Sequence, residues 1–170
     1  MQTLTPTTSE VVTQSFVEHC CRAYRMDHNG FHGFDHWMRV LHNGRLLAAA
    51  EGANLKVVEL FCLLHDTQRL NEDEDPSHGQ RAAQYAQTLR GQWFDLTDGE
   101  MDLLTKALAY HSDGYTQGDT TVQVCWDADR LDLGRVGLRP DPDRLCTNTA
   151  KTPFVLEEAY QRSIRIRRGG

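Results

Sequence analysis

The sequence predicts an all-α fold, a compact helical bundle forming a single domain. Apolar residues recur at three- and four-residue spacing along most of the chain, and no stretch shows the strict alternation of β-branched residues that a half-buried strand needs. At 170 residues the chain is also long enough to bury a core of its own without disulfides. Six or seven helices and no sheet of consequence follow.

The first helix is expected from about Ser9 to Tyr24, with Val12, Phe16, Val17 and Cys20 on one stripe, and Asp27, Asn29 and Gly30 breaking it. After a loop through Gly33, a second begins near Phe34. It carries Trp37, Val40, Leu41, Gly44, Leu47 and Ala48 on a core-facing stripe and ends at Gly52. The third, Leu55 to about His65, is apolar nearly all round and should be the most buried.

Ser77 is placed to cap a helix bearing Ala82, Tyr85, Ala86 and Leu89, with His78 in its first turn. Thr97 and Glu100 have capping-box spacing and open a helix with Met101, Leu104 and Leu108 inward and His111 at its far end. A further helix from about Thr121 to Leu133 holds Val122, Cys125, Trp126 and Asp129, closed by Gly134, Gly137 and Pro140. The last starts at Pro153 behind Thr152, with Leu156, Ala159, Tyr160 and Ile164 as its stripe. Arg135 to Thr152 shows little periodicity and reads equally as a cap over a pocket or a plain connector.

The formal charge of −6 argues against a general nucleic-acid surface, so a phosphate-bearing ligand must be held locally. The basic tail Arg162, Arg165, Arg167 and Arg168 reads as a solvated helix end. Five cysteines, an odd number without CxxC spacing, read as reduced thiols in a cytoplasm. No charged leader precedes an apolar run, and no apolar run is long enough to span a bilayer, so a non-exported protein that avoids membranes is expected.

With 8 histidines and 15 aspartates in the chain, chance alone supplies about 0.7 His-Asp dipeptides, so His65-Asp66 needs context to mean anything. The context is a helix too apolar to face water. Two polar side chains at its end are costly unless paired, and a divalent cation would satisfy both. Imidazoles with a carboxylate suit Mn, Fe, Zn, Ni or Co better than Mg or Ca. His36, beside Trp37, and Asp129, near Trp126, are the best further candidates, each a polar residue in core-like sequence.

The segments His32-Gly-Phe-Asp-His36-Trp-Met-Arg-Val40, Leu63-Leu-His-Asp66 and Trp126-Asp-Ala-Asp-Arg-Leu131 together resemble the HD superfamily of metal-dependent phosphohydrolases, over about residues 30 to 135. The resemblance implies a metal-binding core in that range and a C-terminal extension over 136–170. It also implies a metal held by His36, His65, Asp66 and Asp129, the last preferred to the flanking Asp127 and Asp132 because it directly precedes a basic residue and Leu. His78 and His111 match the order of two further histidines that relatives use for a second ion, with Asp66 bridging. Otherwise they contact substrate phosphate or are structural. One or two ions per chain are therefore expected.

His32 is assigned to substrate contact or an exposed loop, because Gly33 and Asn29-Gly30 put the helix start after it. His19, His28 and His42 have no supporting context and are expected at the surface. Arg39, Arg69 and Arg130 are the guanidiniums nearest the ligands in sequence, and the forked head of arginine suits phosphate, although each could instead pair with an acid such as Glu72 or Asp132. The run Asn71 to Asp75 reads as a solvated charge cluster from which Glu72 could protonate a leaving group.

The expected activity is hydrolysis of a phosphomonoester or phosphodiester in a nucleotide or other small phosphorylated metabolite, by metal-activated water, in a monomer or homodimer. A di-iron oxygenase using the same six ligands, and a non-catalytic module binding a nucleotide or metal, are the alternatives.

Overall fold

The computed structural model describes residues 9–165. These residues form seven α-helices, α1 (Gln14–Ala23), α2 (Phe34–Glu51), α3 (Leu55–Leu64), α4 (His78–Leu89), α5 (Asp98–Tyr110), α6 (Thr120–Arg130) and α7 (Pro153–Ile164), with two short 3-10 turns between α6 and α7. The described residues contain no strand, only an isolated bridge between Arg90 and Phe94.

Helix α3 is the axis. Every residue from Val57 to Leu64 is buried, as its composition requires, and α1, α2, α5 and α6 all pack against it. Helix α2 also contacts α6 and α7, and α4 lies along α5. Two close approaches set this spacing. A Cβ on Gly44 would come within 2.8 Å of Val58 Cγ1 and 2.9 Å of Cys62 Sγ, so α2 and α3 nest where no larger residue fits. A Cβ on Gly79 would stand 2.5 Å from the carbonyl oxygen of Leu108, so α4 presses onto α5 one residue from His78 and near His111.

Local signals explain most boundaries. Thr97 accepts from the Glu100 amide while Glu100 accepts from the Thr97 amide, the reciprocal box its spacing predicts. Asn54 caps α3 through the Val57 amide, and Gly52 closes α2 at φ 70°, a left-handed conformation suited to glycine.

Other expectations change. Helix α1 begins at Gln14 behind a Thr13 cap, not at Ser9, because Ser9 is drawn away: its amide and hydroxyl both bond the buried Glu59 carboxylate. Glu59 in turn takes Arg45 Nε at 2.8 Å, so an ion pair sits inside the otherwise apolar helix. Ser77 precedes α4 without a side-chain cap bond; the Asp75 carbonyl accepts from the His78 amide instead. Helix α6 stops at Arg130 rather than Leu133, and its cap is the Asp119 carboxylate.

His19 and His28 are not free surface residues. His19 stacks on Trp93 and meets the Tyr85 hydroxyl, and His28 bonds the Cys21 carbonyl, whereas His42 is exposed as expected. Arg162 is not a solvated end either: its NH2 donates to Asn43 Oδ1 at 3.0 Å. Arg167 and Arg168 lie outside the described residues. No described helix is long and apolar enough to cross a membrane.

The segment after α6 is built into the fold. Asp127, fully buried, accepts from the Cys146 amide, the Thr147 amide and the Thr147 hydroxyl, each at 2.8 Å. Leu145 and Ala150 enter the main core, and the Leu133–Val136 turn packs on α7.

Candidate metal centre

Four helix ends converge on one carboxylate. His36 comes from the first turn of α2, His65 and Asp66 from the C-terminal end of α3, His78 from the start of α4, and His111 from the end of α5. Asp129 is on the last turn of α6. All but Asp129 are buried, and its side chain is only 16% exposed.

The two oxygens of Asp66 face different neighbours. Oδ2 lies 3.3 Å from both His36 Nε2 and His65 Nε2, and Asp129 Oδ1 stands 3.3 Å and 3.6 Å from the same two nitrogens. Oδ1 lies 3.3 Å from His78 Nε2 and 3.6 Å from His111 Nε2. Two clusters of donor atoms, His36-His65-Asp66 and Asp66-His78-His111, therefore share one residue.

Each imidazole is held from behind by its other nitrogen. Nδ1 of His65, His78 and His111 meets the carbonyls of Cys62, Asp75 and Leu108 at 3.0, 2.5 and 2.7 Å, and Nδ1 of His36 meets Asp132 Oδ2 at 2.7 Å. Bonds of this kind fix the tautomer and leave the Nε2 lone pair forward.

That arrangement decides whether the residues fit a cation. The Nε2 atoms of His36 and His65 are 3.0 Å apart, and those of His78 and His111 are 2.8 Å apart. With Nδ1 donating in every ring, neutral imidazoles would meet lone pair to lone pair at both places. A positive charge between them removes the repulsion, and each pair has an Asp66 oxygen beside it. Neutral nitrogens with carboxylates form a donor set suited to divalent transition metals.

The electrostatics agree in direction. Burial pulls the His65 pKa down, but the Asp66 charge and hydrogen bonds donated to Asp129 and Asp66 outweigh it and raise it to about 10. Burial pushes Asp66 up, yet the His65 charge and bonds to His111, His36 and His65 hold it well below the usual carboxylate range. Asp129 behaves likewise: bonds to His36 and His65 overcome its burial. The centre thus favours carboxylates in their charged form and attracts positive charge.

The arginines divide. Arg39 places Nε 2.7 Å and NH2 3.1 Å from the two oxygens of Asp132, so it supports the carboxylate behind His36. Arg69 lies with Nε 3.4 Å from Asp66 Oδ1, and its NH1 donates to the Asn71 and Asp73 carbonyls. Arg130 sits over the Trp126 ring at 5.6 Å and donates to the Arg144 carbonyl.

The acidic turn is not a solvated charge run. Glu72 accepts from His32 Nδ1 at 2.8 Å and from the Phe31 amide at 3.1 Å, and Asp75 takes the Leu70 amide and Arg81. His32 itself is buried, its ring centroid 6.3 Å from that of His36. Asp127 turns away from the centre into its bonds with Cys146 and Thr147.

Sequence reasoning missed two partnerships, Asp132 behind His36 and Glu72 behind His32. Only the first had a local signal: Asp132 follows Asp129 by three residues, which puts both on one side of the turn.

Residues 33–134 match the HD domain family. The chain is also similar to a solved structure described as a predicted HD superfamily hydrolase from an uncultured Thermotogales bacterium, with 25% identity, a TM-score of 0.66, and coverage of 91% of this chain and 89% of that one. No curated protein matches the chain.

Proposed function

The chain belongs to the HD domain family, a family of metal-dependent hydrolases, and we propose that it hydrolyses a phosphate monoester or diester of a small metabolite such as a nucleotide. The observation that carries the reading is the two-faced placement of Asp66 between two pairs of imidazole nitrogens. His36, His65, Asp66 and Asp129 would hold one divalent ion, and Asp66, His78 and His111 a second. The chain is read as a single domain over 1–170, with a metal-binding core over about 30–135 and a C-terminal extension over 136–170.

A bound divalent ion supplies Lewis acidity, lowering the pKa of a coordinated water and drawing charge from a phosphoryl oxygen. The chain's own residues do the rest. Arg69 would bind a phosphoryl oxygen beside Asp66, a role supported by its burial and by an Nε that lacks a hydrogen-bond partner of good geometry. Glu72 fixes His32 through Nδ1, so Nε2 is the ring nitrogen left to accept a proton from the attacking water and then pass it to the leaving oxygen. Burial, aided by Arg69 and Arg135, lowers the His32 pKa, which keeps the ring neutral and able to accept at neutral pH. Arg39 acts through Asp132, by positioning His36.

The test is elemental analysis of protein purified without added metal, alongside phosphate release from a panel of phosphorylated compounds. Phosphate release that survives His65→Ala or Asp66→Ala would overturn the reading. The same six donors also suit a pair of irons that activates dioxygen. Two irons per chain, an oxygen-sensitive absorption band and no phosphate release would select that second reading.

A further inference from the structure

A cavity of about 650 Å³ opens beside the centre, with His111 and Ser112 at one end. Its volume falls in the range that holds an organic ligand and exceeds the needs of a lone phosphate. Its far wall is the 3-10 region after α6. Leu133, Leu138 and Leu145 line it, and Leu138 is 58% exposed, an apolar side chain that nothing in the fold covers.

The same wall is cationic. Arg130, Arg139 and Arg144 line the cavity against the single carboxylate of Asp141, in a chain whose net charge is −6. Arg139 is engaged by Glu157 at 2.8 Å and the Tyr160 ring at 3.9 Å. The other two are less fully engaged. Arg144 has an 84% exposed side chain, 4.0 Å from Asp141 at its closest. Arg130 is pinned by its NH1 to the Arg144 carbonyl, while its NH2 is hidden from water and has no partner. A buried donor of a charged group is rarely left unmade unless something else takes it.

The geometry points to a substrate that carries a second phosphoryl group, held by Arg130 and Arg144 while its carbon body lies on Leu133 and Leu138. This rests on the phosphohydrolase reading of the centre, since one phosphate is taken to lie at Asp66 with the remainder of the molecule directed past His111. In the reaction a water adds to that phosphorus and its bond to the leaving oxygen breaks. The leaving oxygen takes a proton, so the products are inorganic phosphate and an organic molecule that keeps its other phosphoryl group.

The experiment compares adenosine 5′-monophosphate, adenosine 5′-diphosphate and adenosine 3′,5′-bisphosphate with the protein as purified. Binding is read by calorimetry, and phosphate release is read separately. At least one of the doubly phosphorylated compounds should bind about tenfold or more tightly than the monophosphate, the size of effect expected of a charge-assisted contact. Arg144→Ala and Leu138→Glu should each abolish that preference. Both side chains are exposed, so their thermal unfolding should match the parent and exclude misfolding. Equal binding of all three compounds, or a preference that survives both substitutions, overturns the proposal even where phosphate is released. A preference that behaves as expected without any phosphate release leaves the pocket standing and removes the hydrolase reading instead.

Discussion

Asp132 Oδ2 lies 2.7 Å from His36 Nδ1, across 96 residues of sequence, and Arg39 holds the same carboxylate by two further bonds. The His36 imidazole, whose Nε2 faces Asp66, is therefore oriented by a residue that is not itself one of the clustered donors. Burial would push the Asp132 carboxyl up, but bonds and charge from His36, then Arg39, hold it below its ordinary range.

Asp132→Asn should keep the fold but weaken metal binding by about 10- to 100-fold, as loss of a supporting hydrogen bond does at other metal sites. Competition titration with a chromogenic chelator measures it. Unchanged affinity would separate His36 from metal binding.

Removing His78 should affect one ion and not both. His78→Ala is expected to lower metal content by one ion per chain, whereas Asp66→Ala, which takes an oxygen from each cluster, should lose all of it. Elemental analysis after gel filtration reads the difference. Equal loss in the two variants would mean that the clusters act as one site.

After chelation, metal uptake should release a proton. The raised pKa of His65 means that the stabilisation from its protonated ring is complete below its unfolded value of about 6.5 and disappears as pH rises through about 10. Asp66 and Asp129 are depressed, so their contribution is fully present above the ordinary carboxylate range and is lost as pH falls below that range toward their lowered values. Between these limits the chelated protein holds a proton on His65 that a cation must displace. Affinity should then rise by about tenfold per pH unit between about 7 and 9, and calorimetry in buffers of different ionisation enthalpy should count about one proton released. No release at pH 8 would contradict it.

Glu72→Gln should lower kcat by about 100-fold or more with little change in KM, since it acts on the proton carried by His32 and not on binding. A change confined to KM would move Glu72 from proton transfer to substrate contact.

Much of this was legible in the residue order because helices write their own periodicity. The Thr97-Glu100 box, the apolar run of α3 and the His65-Asp66 pair at its end are all local features, and the fold keeps them. What the sequence hid depends on contacts between distant segments. Ser9 could have extended α1, but it goes to Glu59, 50 residues away. Glu72 and His32 are 40 residues apart, and no spacing rule joins a loop acid to a loop histidine. Ser77 has the right chemistry for a cap and is not used as one, because capping depends on backbone geometry as well as residue type.

The three bonds that Asp127 makes to Cys146 and Thr147 fix how the cavity wall can behave. They tie the chain just beyond Arg144 to the helix that carries Asp129, two residues away. The wall is thus a strap fastened at both ends, and the mouth of the cavity is a standing doorway rather than a gate. If ligands enter there, they meet limits of size and charge at its threshold, and exchange of the strap between Leu138 and Arg144 for another sequence is the natural route to a new clientele, since it leaves Arg135 and the histidines behind it in place.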